Sequence, residues 1–232
     1  MPSPSPRETF DRSIQKLLDQ VLILGSMAEQ AVQSSVEALR RRDLNAAKQI
    51  YAGDIRINEK RYTIETDTII LIATQQPMAR DVRLLAAILE IITELERIGD
   101  YAKGICKINT LLSEDALDPA VMADMQRMAD LGLGMLRRSL DAFVNHDVVT
   151  ARQIPAEDDQ VDALYNHIYQ YLIHELSFTP ESIDRLSHMM WAAHNLERMA
   201  DRVTNICERI VYVSTGQIKE LDTTDDELKK FI

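Results

Sequence analysis

Apolar residues recur along this chain at alternating spacings of four and three, from Phe10 through Ile14, Leu17, Val21, Leu24, Ala28 and Ala31. That spacing is the heptad signature of a helix with one buried stripe. Basic Arg41 and Arg42 suit the helix C-terminus, and Asp43 suits the N-cap of the next. The second helix then runs to about Gln75 on a seam of Ile50, Ile57, Ile64 and Leu71, and Pro77 marks the turn after it. A third helix follows on Leu84, Ile88, Ile91, Leu95, Ile98, Ala102 and Ile105, ending near Leu112, and residues 113–119 form a polar connector.

The plan then repeats. Val121, Met125, Met128, Met135 and Leu136 trace a fourth helix, and Asp147 stands where Asp43 stood. Ile154, Val161 and Ile168 reproduce the second helix's seam at an offset of 104, with Pro155 predicting a kink or a later start. Thr179-Pro180 predicts an N-cap and first turn for the last helix, whose seam is Met189, Ala192, Leu196, Met199, Val203, Ile206 and Ile210. That seam matches the third helix at an offset of 101. The expected fold is all-α: two tandem, pseudo-symmetric three-helix bundles packed side by side, with six long helices. The expected units are a disordered tail over 1–7, bundles over 8–113 and 119–216, and an acidic tail over 217–232 with a short helix near Asp226 to Phe231.

Composition narrows the function classes. Seven glycines and seven prolines in 232 residues leave few turns, as long helices require. A net charge of −11 argues against nucleic acid as a partner and for cations or basic protein surfaces. No apolar run approaches the ~18 residues of a membrane span, and residues 1–7 lack a signal peptide's apolar core. Cys106 and Cys207 occupy equivalent places in the two halves and read as reduced core thiols of a cytoplasmic protein, with a disulfide as the alternative.

The repeat also duplicates a charge pattern. Leu95-Glu-Arg-Ile-Gly-Asp100 returns as Leu196-Glu-Arg-Met-Ala-Asp201. In each copy two carboxylates four residues apart share a helix face, where like charges repel unless something positive sits against them. Reflection through Pro77 brings Glu96 and Asp100 level with Asp54 and Asn58; reflection through Thr179-Pro180 brings Glu197 and Asp201 level with Asp158 and Asp162. The expectation is one oxygen cluster per bundle, partly covered at the surface, suited to Mg, Mn, iron or zinc ions. Asp158, Asp162, Glu197 and Asp201 make the stronger site because all four are carboxylates. The bland alternative is a solvated polar face. The histidines share no ligand spacing between halves, no Glu-x-x-His occurs, and the methionines fall on seams, so both read as packing or surface residues.

These residues carry a family resemblance. From about Phe10 to Gln217 the chain resembles the PhoU phosphate-uptake regulators, through Gln75-Gln-Pro-Met-Ala-Arg-Asp-Val-Arg83 and the two Leu-Glu-Arg motifs. The second copy departs from the common Ile-Gly with Met199-Ala200, and Asn58 stands where aspartate is frequent. The resemblance implies paired three-helix bundles, multinuclear iron or zinc clusters on the acidic motifs in some members, and often a homodimer. It further implies a non-catalytic cytoplasmic negative regulator joining the ATPase subunit of the phosphate ABC transporter to a phosphate-sensing histidine kinase. A metal-dependent hydrolase or oxidase and a purely structural scaffold are the competing classes.

Overall fold

The structure, a computed structural model, describes residues 5–112 and 117–221. The short helix expected near Asp226 to Phe231 lies outside the described residues, as do residues 1–4 of the N-terminal tail and 113–116 of the connector. Helix α1 spans Pro6–Arg41, α2 Leu44–Gln75, α3 Ala79–Leu111 and α4 Pro119–Asn145. The second half continues with α5 (Val148–Gln153), α6 (Asp158–Phe178) and α7 (Ile183–Thr215), separated by 3-10 turns at Ile154–Glu157 and Pro180–Ser182. Two tandem three-helix bundles result, the third rod of each being α3 and α7. Among the described residues no helix is long and apolar enough to cross a membrane.

The helix ends follow local chemistry. Ser5 and Glu8 form a reciprocal capping box, at 3.2 and 2.8 Å, so Pro6 and Arg7 belong to the first turn of α1 and not to the tail. Asp43 and Asp147 both cap as expected: each Oδ1 accepts two backbone N–H bonds at 2.9–3.1 Å. Pro155 lacks a donor and crowds the preceding turn, so the fifth predicted helix breaks into α5, a 3-10 turn and α6. Thr179 does not act as the predicted cap. Its hydroxyl donates back to the Glu175 carbonyl at 3.0 Å, and α7 begins only at Ile183, after the second 3-10 turn.

Every predicted seam residue of α3 and α7 is buried. Ile57, Ile64 and Leu71 on α2 and Ile154, Val161 and Ile168 in the second half are buried too, while Ile50 is only half-buried. The core is continuous from one bundle into the other. Cys106 and Cys207 are both free and buried, and loss of water around them pushes each thiol up to about 12.

Helices α3 and α7 join the bundles, crossing antiparallel. Glu94 meets Asn205 at 3.3 Å, Arg198 meets Tyr101 at 3.3 Å, and Arg209 meets Glu90 at 3.7 Å. Asn195 lies so close to Gly104 that a Cβ there would meet its Oδ1 at 2.9 Å. These pairs step outward evenly from the level of Gly99 and Ala200. The two acidic motifs therefore sit at the same height, at the centre of the crossing.

Candidate metal and docking site

The first cluster is assembled where α2 lies along α3. Asp54 is 5% exposed, and its Oδ2 accepts from Asn58 Nδ2 at 3.0 Å and from Lys103 Nζ at 2.6 Å. Lys103 also stands 3.7 Å from Asp100 Oδ1. Burial, together with the charges of Asp100 and Asp54, holds the Glu96 carboxyl above its usual range, so this side chain shares the same field. Asp54, Asn58 and Asp100 thus meet around Lys103, and Glu96 lies within the field of the two aspartates. Asp54 Oδ1 is buried without a hydrogen bond, beside the Gly99 backbone.

Gly99 is what lets α2 come so near. A Cβ on it would lie 2.9 Å from Ile57 Cδ1 and 3.2 Å from Cγ2. The corresponding pair in the second half is Val161 and Ala200, one methyl smaller on one side and one larger on the other. On α4, Gly132 makes room at this level: a Cβ on it would lie 2.6 Å from Met199 Cε and 3.6 Å from Ala200 Cβ.

In the second cluster Asp158 opens α6 and is 4% exposed, Asp162 lies one turn on, and Glu197 and Asp201 project from α7. Glu197 Oε2 is 3.1 Å from His194 Nδ1, and Asp201 Oδ2 is 3.7 Å from Arg202 Nη2. Burial and the Arg198 charge lower the His194 pKa, which favours neutral imidazole with a lone pair to offer. Thr204, three residues past Asp201, is 6% exposed, and its Oγ1 is buried without a hydrogen-bond partner.

Each cluster is a shared acidic face and not yet a closed cage. Among the described residues no three His, Cys, Asp or Glu side chains converge as a metal-holding group. Asp158 and Asp162 on α6 and His194, Glu197 and Asp201 on α7 are oxygen and imidazole donors of the types that iron or zinc takes, and of these His194 and Glu197 are in contact, at 3.1 Å. Sequence reasoning missed Lys103, Thr204 and His194. The first two could have been found by comparing the residues three beyond Asp100 and Asp201; His194 by reading His-x-x-Glu as well as Glu-x-x-His. The other histidines behave as expected, with His167 against Asp124 at 2.8 Å and His188 edge-on to Trp191.

Beside the first cluster α1 and α2 leave an open groove of about 520 Å³, walled by Leu22, Ile23, Met27 and Ile57 and reaching Asp54 and Lys103. It carries the cluster's edge out to an apolar surface.

Fold and site together define a class: a tandem-repeat helical protein whose two bundles each present an acidic face on the hairpin beside the central crossing. A PhoU domain matches residues 21–108 and again residues 125–210. The chain belongs to the PhoU family. It is 35% identical to the phosphate-specific transport system accessory protein PhoU homolog of Clostridium acetobutylicum, over 94% of this chain and 99% of that one. The crystal structure of the phosphate transport system regulatory protein PhoU from Streptococcus pneumoniae superposes with a TM-score of 0.84 at 32% identity, covering 90% of this chain and 99% of that one. PhoU from Pseudomonas aeruginosa also superposes with a TM-score of 0.84, at 28% identity, over 90% of this chain and 100% of that one.

Proposed function

We propose that this chain is an accessory regulator of phosphate-specific transport that works by docking and not by catalysis. The observation that carries the reading is the two-repeat match, almost end to end, to relatives named for that role. In finer detail it is a cytoplasmic adaptor, active as a homodimer, that joins the ATPase subunit of the phosphate ABC transporter to a phosphate-sensing histidine kinase and restrains uptake and the starvation response. A net charge of −11 and two acidic faces support basic docking surfaces on those partners. Asp158, Asp162, Glu197 and Asp201 would hold iron or zinc, with magnesium or manganese as weaker occupants, and Asp54, Asn58, Glu96 and Asp100 are the corresponding first-bundle ligand set. A bound cation would supply the positive charge that carboxylates on α6 and α7 need in order to stay together.

Affinity capture of purified chain against the transporter ATPase and the kinase, each tested separately at high phosphate, checks the adaptor role. Both should be retained, and retention should fall when salt is raised, because acidic faces carry the contact. Retention of neither would sink the proposal.

A further inference from the structure

Helix α2 carries two heptad seams, and the fold uses one of them. Ile57, Ile64 and Leu71 face the core. The second seam runs along the opposite side at strict spacings of three and four, through Ala52, Ile55, Glu59, Tyr62, Thr66, Ile69 and Ala73, all exposed. Ile55 is 61%, Tyr62 56% and Ile69 52% exposed. A helix side that meets only water has no reason to hold large apolar residues in heptad register; a stripe of this kind is one half of a helix pair. Helix α2 packs on α1 and α3, and among the described residues no other helix covers it. The second bundle lacks the seam: 104 residues further on, Asp159, Asn166 and Gln170 stand in place of Ile55, Tyr62 and Thr66. A seam present once per chain closes on its own kind, α2 against α2 of a second copy, and the assembly stops at two.

The charges beside the seam select the geometry. Lys48, Arg56 and Glu59 are exposed and Asp67 is half-buried, and among the described residues none of the four makes an ion pair. In a two-fold antiparallel pair centred between Ile57 and Asn58, residues equally distant from that point oppose each other. Arg56 then meets Glu59 of the second copy, and Lys48 meets its Asp67. Symmetry makes each contact twice. Parallel pairing would set every one of these charges against itself. The same centring brings Tyr62 onto Gly53 and the neighbouring Ala52. Glycine inside a helix weakens it, and no neighbour within the chain requires one here, since a Cβ on Gly53 would meet nothing within 4 Å. Gly53 borders the open groove between α1 and α2, which leaves space for a phenol ring.

We propose that the exposed seam of α2 is the contact of a two-fold homodimer, α2 lying antiparallel on α2 of a second copy with Tyr62 of each seated at Ala52 and Gly53 of the other. This gives the homodimer of the functional reading above its surface, and rests on that reading. Helix α2 touches no helix of the second bundle, so pairing through it leaves both second bundles open for docking.

The test is sedimentation equilibrium of the full chain, with helix content by circular dichroism confirming that every variant folds. Wild type should sediment as two chains and Tyr62→Asp as one. Arg56→Glu and Glu59→Arg should each weaken self-association about tenfold or more, because each sets like charges against one another twice. Both changes in one chain should restore the dimer, and an equal mixture of the two single variants should pair with each other. A wild type that stays monomeric overturns the proposal together with the homodimer reading. A dimer that survives Tyr62→Asp, or that the double charge reversal fails to restore, overturns the α2 contact and leaves the homodimer reading standing. If Tyr62→Asp stays dimeric but is no longer retained by the transporter ATPase or the kinase, the seam belongs to that partner and the α2 contact is likewise overturned. Assemblies larger than two chains overturn the two-fold arrangement.

Discussion

At the scale of single residues, the positions that matter most are those where a small side chain or a shifted charge lets two helices meet. Gly99 is one, because Ile57 lies where its Cβ would be. Gly99→Ala should cost about 1–2 kcal/mol through overpacking, despite the better helix propensity of alanine. In an Ile57→Val background, itself ~1 kcal/mol less stable, the same change should cost much less, giving a coupling of about 1 kcal/mol in a denaturation cycle. Additive effects would show that the contact does not limit the approach of α2. Glu96 is the second such position. Its carboxyl titrates above its ordinary 4.5 because burial and then Asp100 disfavour the anion. A raised acid contributes stability that is fully present below its unfolded pKa and is lost as pH rises through its folded pKa. Glu96→Gln should therefore raise Tm at pH 7, and the gain should vanish as pH falls to 4.5; an equal gain at both pH values would mean that charge is not the cause.

At the scale of elements, the helix ends show how the repeats have diverged. Both α1 and α4 end on a non-glycine residue in the left-handed region, Arg42 at φ 54° and His146 at φ 53°. Such a conformation costs a residue with a Cβ roughly 1–2 kcal/mol. Only the first is compensated: the Arg42 guanidinium donates to the carbonyls of Asn109 and Leu112 at 2.7 and 2.9 Å, and Asn109 in turn donates to the Ala38 carbonyl at 3.0 Å. The residue corresponding to Asn109 is the buried apolar Ile210. His146→Gly should consequently stabilise the protein by about 1 kcal/mol, whereas Arg42→Gly should destabilise it by about the same amount, since the freed carbonyls lose charged donors. Equal effects at both sites in urea titrations would mean the guanidinium contacts contribute nothing.

At the scale of the whole molecule, the two bundles share one core and one central crossing. Gly25 of α1 lies directly beneath Leu140 of α4, and the polar pairs of α3 and α7 extend symmetrically from the level of the two motifs. Neither half can be removed without exposing apolar surface of the other. Thermal unfolding should show one cooperative transition with equal calorimetric and van't Hoff enthalpies, and a chain cut in the 113–118 connector region should yield no independently stable half. Two resolved transitions would show that each bundle holds its own fold.

Much of this architecture was legible in the residues. The four-and-three spacing named each seam because helix geometry gives apolar residues only one way to share a face, and the 104 and 101 offsets exposed the duplication. Reflection through a turn found Asp54 opposite Asp100 because an antiparallel hairpin conserves distance from its bend. The broken start of α6 and the non-capping Thr179 escaped because a proline can open, kink or precede a helix, and neighbouring turns decide which. Only tertiary structure showed that Lys103 lies against Asp54 and Thr204 does not meet a partner. Periodicity says which face a side chain leaves from, whereas its reach across to another helix depends on how closely the two backbones are allowed to approach.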